Sequence, residues 1–251
     1  PADPDDAADV AAAYRSETLL NRVFIEPVML GAYPVDAVEA FASVGTALPV
    51  HDGDLEVIAT PVDFLGVNYY QGSAVSAHAP APDATLVGNA PVERPVSNPS
   101  VGLGEAYVVS RGLPRTAMDW EVQPDGLRRL LEKLYAQYTG PAGIPLYVTE
   151  NGSAFDDEVG PDGTVEDEGR TAYLVDHLQA VHQAIEAGVD VRGYFAWSLL
   201  DNFEWAYGYE KRFGIVRVDF DTLERTPKRS ALTYSVVART GELAPRGTVR
   251  P

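Results

Sequence analysis

Three apolar runs, each parted from the next by a helical pattern, constrain this chain most. They are "DFLGVNYY" (Asp63–Tyr70), Ile144–Val148 in "GIPLYVTENG", and "VRGYFAWSLL" (Val191–Leu200). Between the first two, Pro124, Asp125 and Gly126 open a helix with Leu127, Leu130, Leu131, Leu134 and Tyr138 at helical spacing. Between the last two, Leu174, Leu178, Val181 and Ile185 mark a second helix, closed by Gly188. Strands joined through a helix run parallel. Each run ends in polar groups: Asn68 and Tyr70, then Glu150, then Asp201 and Asn202. In parallel α/β folds and (β/α)8 barrels, chemistry sits at the C-terminal strand ends. Glu150 is therefore expected to point into a site. The plainer alternatives for such a residue are a helix N-cap or a loop salt bridge.

The flanks are less regular. Pro4, Asp5 and Asp6 start a helix that carries Val10, Tyr14 and Leu20 and runs towards Phe24, where Gly31 and Pro34 break it. Ala37–Val44 is a short helix ended by Gly45. Residues 72–118 are rich in Gly, Pro, Ala and Ser and lack periodicity, so they read as one long loop, a common place for function. Residues 151–168 form an acidic loop, "RFGIVRVDF" follows the third strand and its aromatic loop, and a last helix lies near Ser230–Arg239. The 251 residues match the ~250 of a whole barrel, yet only three strands are convincing, not eight.

Composition narrows the function classes. The net charge of −18 opposes binding to nucleic acid or anionic membranes. No apolar run approaches the ~18 residues of a membrane span, and no signal-peptide pattern opens the chain. The lack of Cys removes disulfides and thiolate metal sites and fits a reducing, cytoplasmic location. The chain opens on Pro1 without a Met, a weak pointer to truncation.

The segment "WSLLDNFEWAYGYEKRFG" (Trp197–Gly214) gathers Trp197, Phe203, Trp205, Tyr207, Tyr209 and Phe213 around Asp201, Glu204 and Glu210. Such a mixture, broken by Asn and Gly, is poor core material. Carboxylates that accept hydroxyl hydrogen bonds, with aromatic faces for C–H surfaces, suit a sugar.

With "YVTENG", "DFLGVNYY" and "GYFAWSLLDNFEWAYGYEKRFGIVRVDF", the chain resembles the family 1 glycoside hydrolases, the retaining β-glucosidase family, from about Asp5 to Tyr234. The resemblance implies a (β/α)8 TIM barrel that works with two glutamates and needs no metal or organic cofactor. It implies that Glu150 is the catalytic nucleophile, that Tyr70 donates a hydrogen bond to it, and that Asn68 lies beside the reacting sugar. Glu204 would bind distal sugar hydroxyls, Trp205 would add a hydrogen bond, and Trp197 and Phe213 would form the apolar floor and wall. Trp120, in "AMDWEV", resembles the family's aglycone-side tryptophan, although the usual "DMGW" is altered here.

The main departure is a missing acid. A retaining glycosidase needs a second carboxyl about 5–5.5 Å from the nucleophile. The family carries it in an Asn-Glu-Pro segment on an earlier strand, and no such segment occurs here. Glu26-Pro27, in "FIEPVML", follows a helix instead. The chain is thus expected to carry roughly the C-terminal half of the barrel: the fifth helix, then strands six to eight with their helices. Residues 1–251 would be part of a single barrel domain, with a β-glucoside or oligosaccharide as substrate and the N-terminal half of the same barrel as partner. The rival is an inactive sugar-binding or assembly fragment. Weaker signals are His177 with His182, a poor metal pair, and "DDEVGPDGTVEDE", whose spacing is wrong for a calcium loop. Asn151-Gly-Ser is a glycosylation sequon by pattern, with no glycan expected beside the nucleophile.

Overall fold

A computed structural model describes residues 1–80 and 101–243. The elements in chain order are α1 (Ala7–Glu17), a π-helical turn (Thr18–Arg22), α2 (Val23–Leu30), α3 (Val35–Ser43), α4 (Asp54–Ile58), β1 (Leu65–Asn68), β2 (Ala74–Ser76) and β3 (Tyr107–Val109). They continue with α5 (Pro124–Leu134), a second π-helical turn (Tyr135–Thr139), α6 (Gly140–Ala142), β4 (Leu146–Asn151), α7 (Glu168–Glu186), β5 (Val191–Ala196), β6 (Val216–Val218), β7 (Arg225–Pro227) and α8 (Arg229–Thr240). They fall into two compact units.

The first unit comprises Pro1–Asp63 and Ser73–Leu113. Asp6 caps α1 by accepting from the Ala8 N–H at 2.8 Å. The helical path continues through the π-turn and α2 to Gly31, whose φ of 69° closes it. Val10, Tyr14, Leu20 and Phe24 face solvent, and the opposite side buries Ala12, Leu19 and Val23 with Val75, Leu103 and Ala106. Asp9 sets that choice of face. Its buried carboxylate accepts from the Ala77 N–H at 2.7 Å, Ser76 Oγ at 2.8 Å and the Asp3 N–H at 3.0 Å. Those hydrogen bonds, the Ala77 amide foremost, hold its pKa below the usual carboxylate value. The stretch 72–118 is not wholly loop, because β2 and β3 pair antiparallel; its residues 81–100 lie outside the described residues.

The second unit comprises Phe64–Gly72 and Pro114–Pro251. Its sheet has the order β1–β4–β5, with both pairs parallel, as the helical crossovers require. The strands are shorter than their apolar runs. Val67, Leu146 and Val148 point towards Leu127 and Leu131 of α5 and Val181 and Ala184 of α7, and together they form one core. α8 packs on α7, and the Tyr234 hydroxyl donates to the Tyr194 carbonyl at 2.8 Å. The other sheet face carries Phe64, Tyr147 and Phe195, with Phe64 51% and Phe195 57% exposed. An all-parallel sheet normally has both faces covered. Among the described residues one is open here, and β1 and β5 are edges.

A buried ionic cluster ties the loops at the C-terminal strand ends together. Lys228, fully buried, donates to Asp157 Oδ2 at 2.5 Å and Asp201 Oδ1 at 2.9 Å. Arg170 pairs with Asp157 at 2.8 Å and Asp167 at 2.6 Å, and Arg212 with Asp201 at 2.5 Å. Burial, followed by the nearby Arg170 charge, lowers the Lys228 pKa against the pull of its carboxylates. Lys228→Met strands two buried carboxylates that each keep one arginine. The expected loss is about 3 kcal/mol, the low end for breaking a buried pair, read as a fall in the denaturant midpoint.

Candidate active site

β1 and β4 end side by side, with Asn68 opposite Glu150 in register. The pairing shifts at Val67/Asn68, and again between Val148 and Asn151 against β5. Such irregularities re-aim side chains, and here they turn Tyr70 and Glu150 towards one another. The Tyr70 hydroxyl donates to Glu150 Oε2 at 2.6 Å. Burial, then that hydrogen bond, raises the Tyr70 pKa far above its ordinary value, so the phenol stays protonated and remains a donor. The bond engages one carboxylate oxygen and so orients the other.

Around this pair stands an aromatic wall. The Tyr70 ring lies 5.3 Å from Trp120 and 6.2 Å from Phe213, and Trp120 lies 5.9 Å from Phe213. Trp197 and Tyr207 pack on the same cluster, with Phe213 buried. Trp197 is held by its N–H donating to the Asn151 carbonyl at 2.9 Å, and Phe213 by its carbonyl accepting from the Ser198 N–H at 3.1 Å. Gly152 is required here: a Cβ on it would collide with the Trp197 carbonyl oxygen. Gly152→Ala is expected to push the Trp197 strand end away from Glu150, and loss of the Trp197 fluorescence environment at unchanged secondary structure would register it.

Glu204, half-buried in the loop after β5, has its pKa raised by burial and then by the charge of Glu150. Asn68 is exposed and accepts from Thr149 Oγ1 at 2.7 Å. Trp205 stands apart, 83% exposed with a φ of +36°. The tight Glu204–Gly208 bridge around it, with the Glu204 N–H donating to the Gly208 carbonyl at 2.6 Å, turns it outward. The structure thus brings Glu150, Tyr70, Trp120, Trp197 and Phe213 together, with Glu204 within electrostatic reach. Asp201 is absent from this set, because it is buried under Lys228 and Arg212. Glu26 sits inside α2, paired with Arg22 at 2.7 Å.

The sequence reading did not anticipate Asn151 and Tyr173 as structural members of the site. Asn151 is fully buried, which also leaves its sequon without access. Its position directly after Glu150 was the available signal. His177 and His182 do not converge: His177 is buried, its Nδ1 bonded to the Tyr173 carbonyl at 2.7 Å, and His182 lies exposed near Glu186. Burial pushes the His177 pKa down to about 4, so the ring is neutral.

The family model of glycosyl hydrolase family 1 matches residues 1–243. The chain belongs to glycosyl hydrolase family 1. It is 38% identical over 233 residues to a beta-glucosidase A of Acetivibrio thermocellus, covering 93% of this chain and 47% of that protein. It is 43% identical over 228 residues to a bifunctional beta-D-glucosidase/beta-D-fucosidase of Bifidobacterium breve, covering 88% of this chain and 47% of the relative. Among solved structures, a psychrophilic beta-glucosidase from Micrococcus antarcticus superposes with a TM-score of 0.88 at 48% identity, over 96% of this chain and 51% of that one. A Thermotoga maritima beta-glucosidase in complex with castanospermine gives a TM-score of 0.79 at 36% identity, over 97% and 49%. The chain therefore spans about half the length of the family 1 relatives it matches, and its fold is part of a (β/α)8 barrel. Among the described residues, no helix is long and apolar enough to cross a membrane.

Proposed function

We propose that residues 1–251 are the C-terminal part of a single (β/α)8 barrel domain of a retaining β-glycosidase of β-glucosidase type. The observation that carries this reading is the 2.6 Å Tyr70–Glu150 hydrogen bond at the C-terminal strand ends, walled by aromatic rings. Glu150 attacks the anomeric carbon. An acid on the N-terminal part protonates the leaving oxygen, which departs with the aglycone. The same group, now a base, takes a proton from the water that opens the glycosyl-enzyme. Two carboxylates suffice for this route, with no metal or organic cofactor. Asn68 lies beside the reacting sugar, Trp197 and Phe213 give its apolar floor and wall, Trp120 meets the aglycone, and Glu204 binds distal hydroxyls, with Trp205, exposed on the same loop, adding a hydrogen bond. A carboxylate at Glu204 disfavours 6-phospho sugars. The substrate is a terminal, non-phosphorylated β-D-glucoside or oligosaccharide.

The N-terminal half of the barrel is the partner that covers the open face with Phe64 and Phe195 and pairs the edges of β1 and β5. With no cysteine in the chain, cytoplasmic residence is part of the same proposal. The half-length match keeps a second reading in view, an inactive half-barrel that binds sugar or assembles with a partner. Glu204→Ala tests the recognition role in the full-length protein. Losing a hydrogen bond from a charged group costs roughly 1.5–3 kcal/mol, or about 10–150-fold in kcat/KM. The variant should keep its melting temperature. A collapse of stability with activity retained per folded molecule would make Glu204 structural.

A further inference from the structure

We propose that Asn151 and Tyr173, with Tyr194, form a buried clamp that positions the Tyr70–Glu150 pair; this rests on the reading of Glu150 as the nucleophile. Both strand pairings lose their regular ladder just before Glu150. Side chains take over the task of holding the ends. The Asn151 amide Nδ2 donates to the Tyr69 carbonyl at 2.6 Å and to the Tyr173 hydroxyl at 3.1 Å, and its Oδ1 accepts from the Tyr194 hydroxyl at 2.6 Å. The Tyr173 hydroxyl passes the connection on by donating to the Tyr70 carbonyl at 3.0 Å. The Tyr70 backbone is thereby fixed from behind directly, and that of Glu150 through its neighbour Asn151. Tyr69 and Tyr70, the two residues after β1, are held through their carbonyls, while Asn151 anchors the end of β4 to Tyr194 of β5.

The Tyr173 ring is itself immobilised, stacked on His177 at 3.8 Å and 2% exposed. Burying an amide and a phenol, with a second phenol half-buried beside them, costs desolvation that an apolar filling would avoid. What the satisfied network adds is direction. A shift of the Tyr70 carbonyl would carry its hydroxyl away from Glu150 Oε2. None of the three clamp residues needs to touch the sugar for this to matter. They are positioning residues, and Tyr173 is the one whose hydroxyl can be removed with its packing kept.

The test uses the full-length protein and a mechanism-based 2-fluoro aryl β-glucoside, with active sites counted by label stoichiometry. Tyr173→Phe is expected to lower the inactivation rate constant, and kcat per counted site, by about 10–100-fold, the scale of a misplaced reacting group. The inactivator's binding constant and KM should move less than about twofold, well below the tenfold scale of a misplaced reacting group. A rate constant per site that stays at the wild-type value overturns the inference, even if the melting temperature falls. If Tyr173→Phe does not fold, Tyr194→Phe, which removes the donor to Asn151 Oδ1, decides by the same two readings. Mapping the labelled peptide separates the two levels. A label on Glu150 with unchanged Tyr173→Phe kinetics sinks only the clamp, whereas a label on another residue overturns the nucleophile assignment and the clamp with it.

Discussion

In the full-length barrel, Glu150→Gln is expected to lose several orders of magnitude in kcat on an aryl β-glucoside. On the proposed route Glu150 is the nucleophile, and an amide in its place neither attacks the anomeric carbon nor stabilises the positive charge that builds there. The variant keeps the Tyr70 contact, because the Gln Oε1 still accepts from the phenol, so folding should change little. Two measurements check this: kcat with the melting temperature alongside, and labelling by a 2-fluoro glycoside, which should modify Glu150 in the wild type and nothing in the variant. Near-normal turnover, or a label on another residue, would remove Glu150 from the mechanism.

The 251-residue chain on its own should show no retaining glycosidase activity and should not remain a monomer. General acid catalysis contributes typically ~10²–10⁴-fold, and the acid required here has no counterpart in an Asn-Glu-Pro segment of this chain. The sheet that presents Glu150 also leaves one face open, with Phe64 51% and Phe195 57% exposed, and among the described residues it has two unpaired edges. Surfaces of that kind pair with something. Purifying the chain, measuring its mass by light scattering, and assaying it with and without the N-terminal half tests both statements. Activity restored on mixing supports the barrel reading. A soluble, fully active monomer would require the acid to be found within this chain, with Glu26 the first suspect, despite its place in α2 and its pairing with Arg22.

The sequence by itself determined the three parallel strands, their order along the chain and the polar groups at their C-terminal ends. These are local signals. Apolar runs bounded by Gly and Pro, separated by residues at helical spacing, admit few alternatives, and "VTENG" and "DFLGVNYY" mark the family directly. Glu150 and Tyr70 were legible for that reason, 80 residues apart yet 2.6 Å from each other. The boundaries were less so: the apolar run Asp63–Tyr70 pairs only from Leu65 to Asn68, since the ladder shifts register there.

Only the tertiary structure decided which polar residues stand near Glu150 and which are locked into the scaffold. Asp201 and Glu204 share one acidic, aromatic stretch, but Asp201 is claimed by Lys228, 27 residues on, and Glu204 is left half-buried near Glu150. Trp205, next to Glu204, is turned outward by a bridge closed at Gly208. On α1, the pattern marked Val10 and Tyr14, yet the helix buries Ala12 and Asp9, because the Ser76 hydroxyl and Ala77 amide meet that carboxylate. Asn151, by pattern the first residue of a sequon, is the hub of three strand ends. The physical reason is common to all four. Periodicity records how a segment divides itself between core and water, while the partner of a buried polar group is chosen by residues distant in sequence, and that choice exists only once the chain has folded.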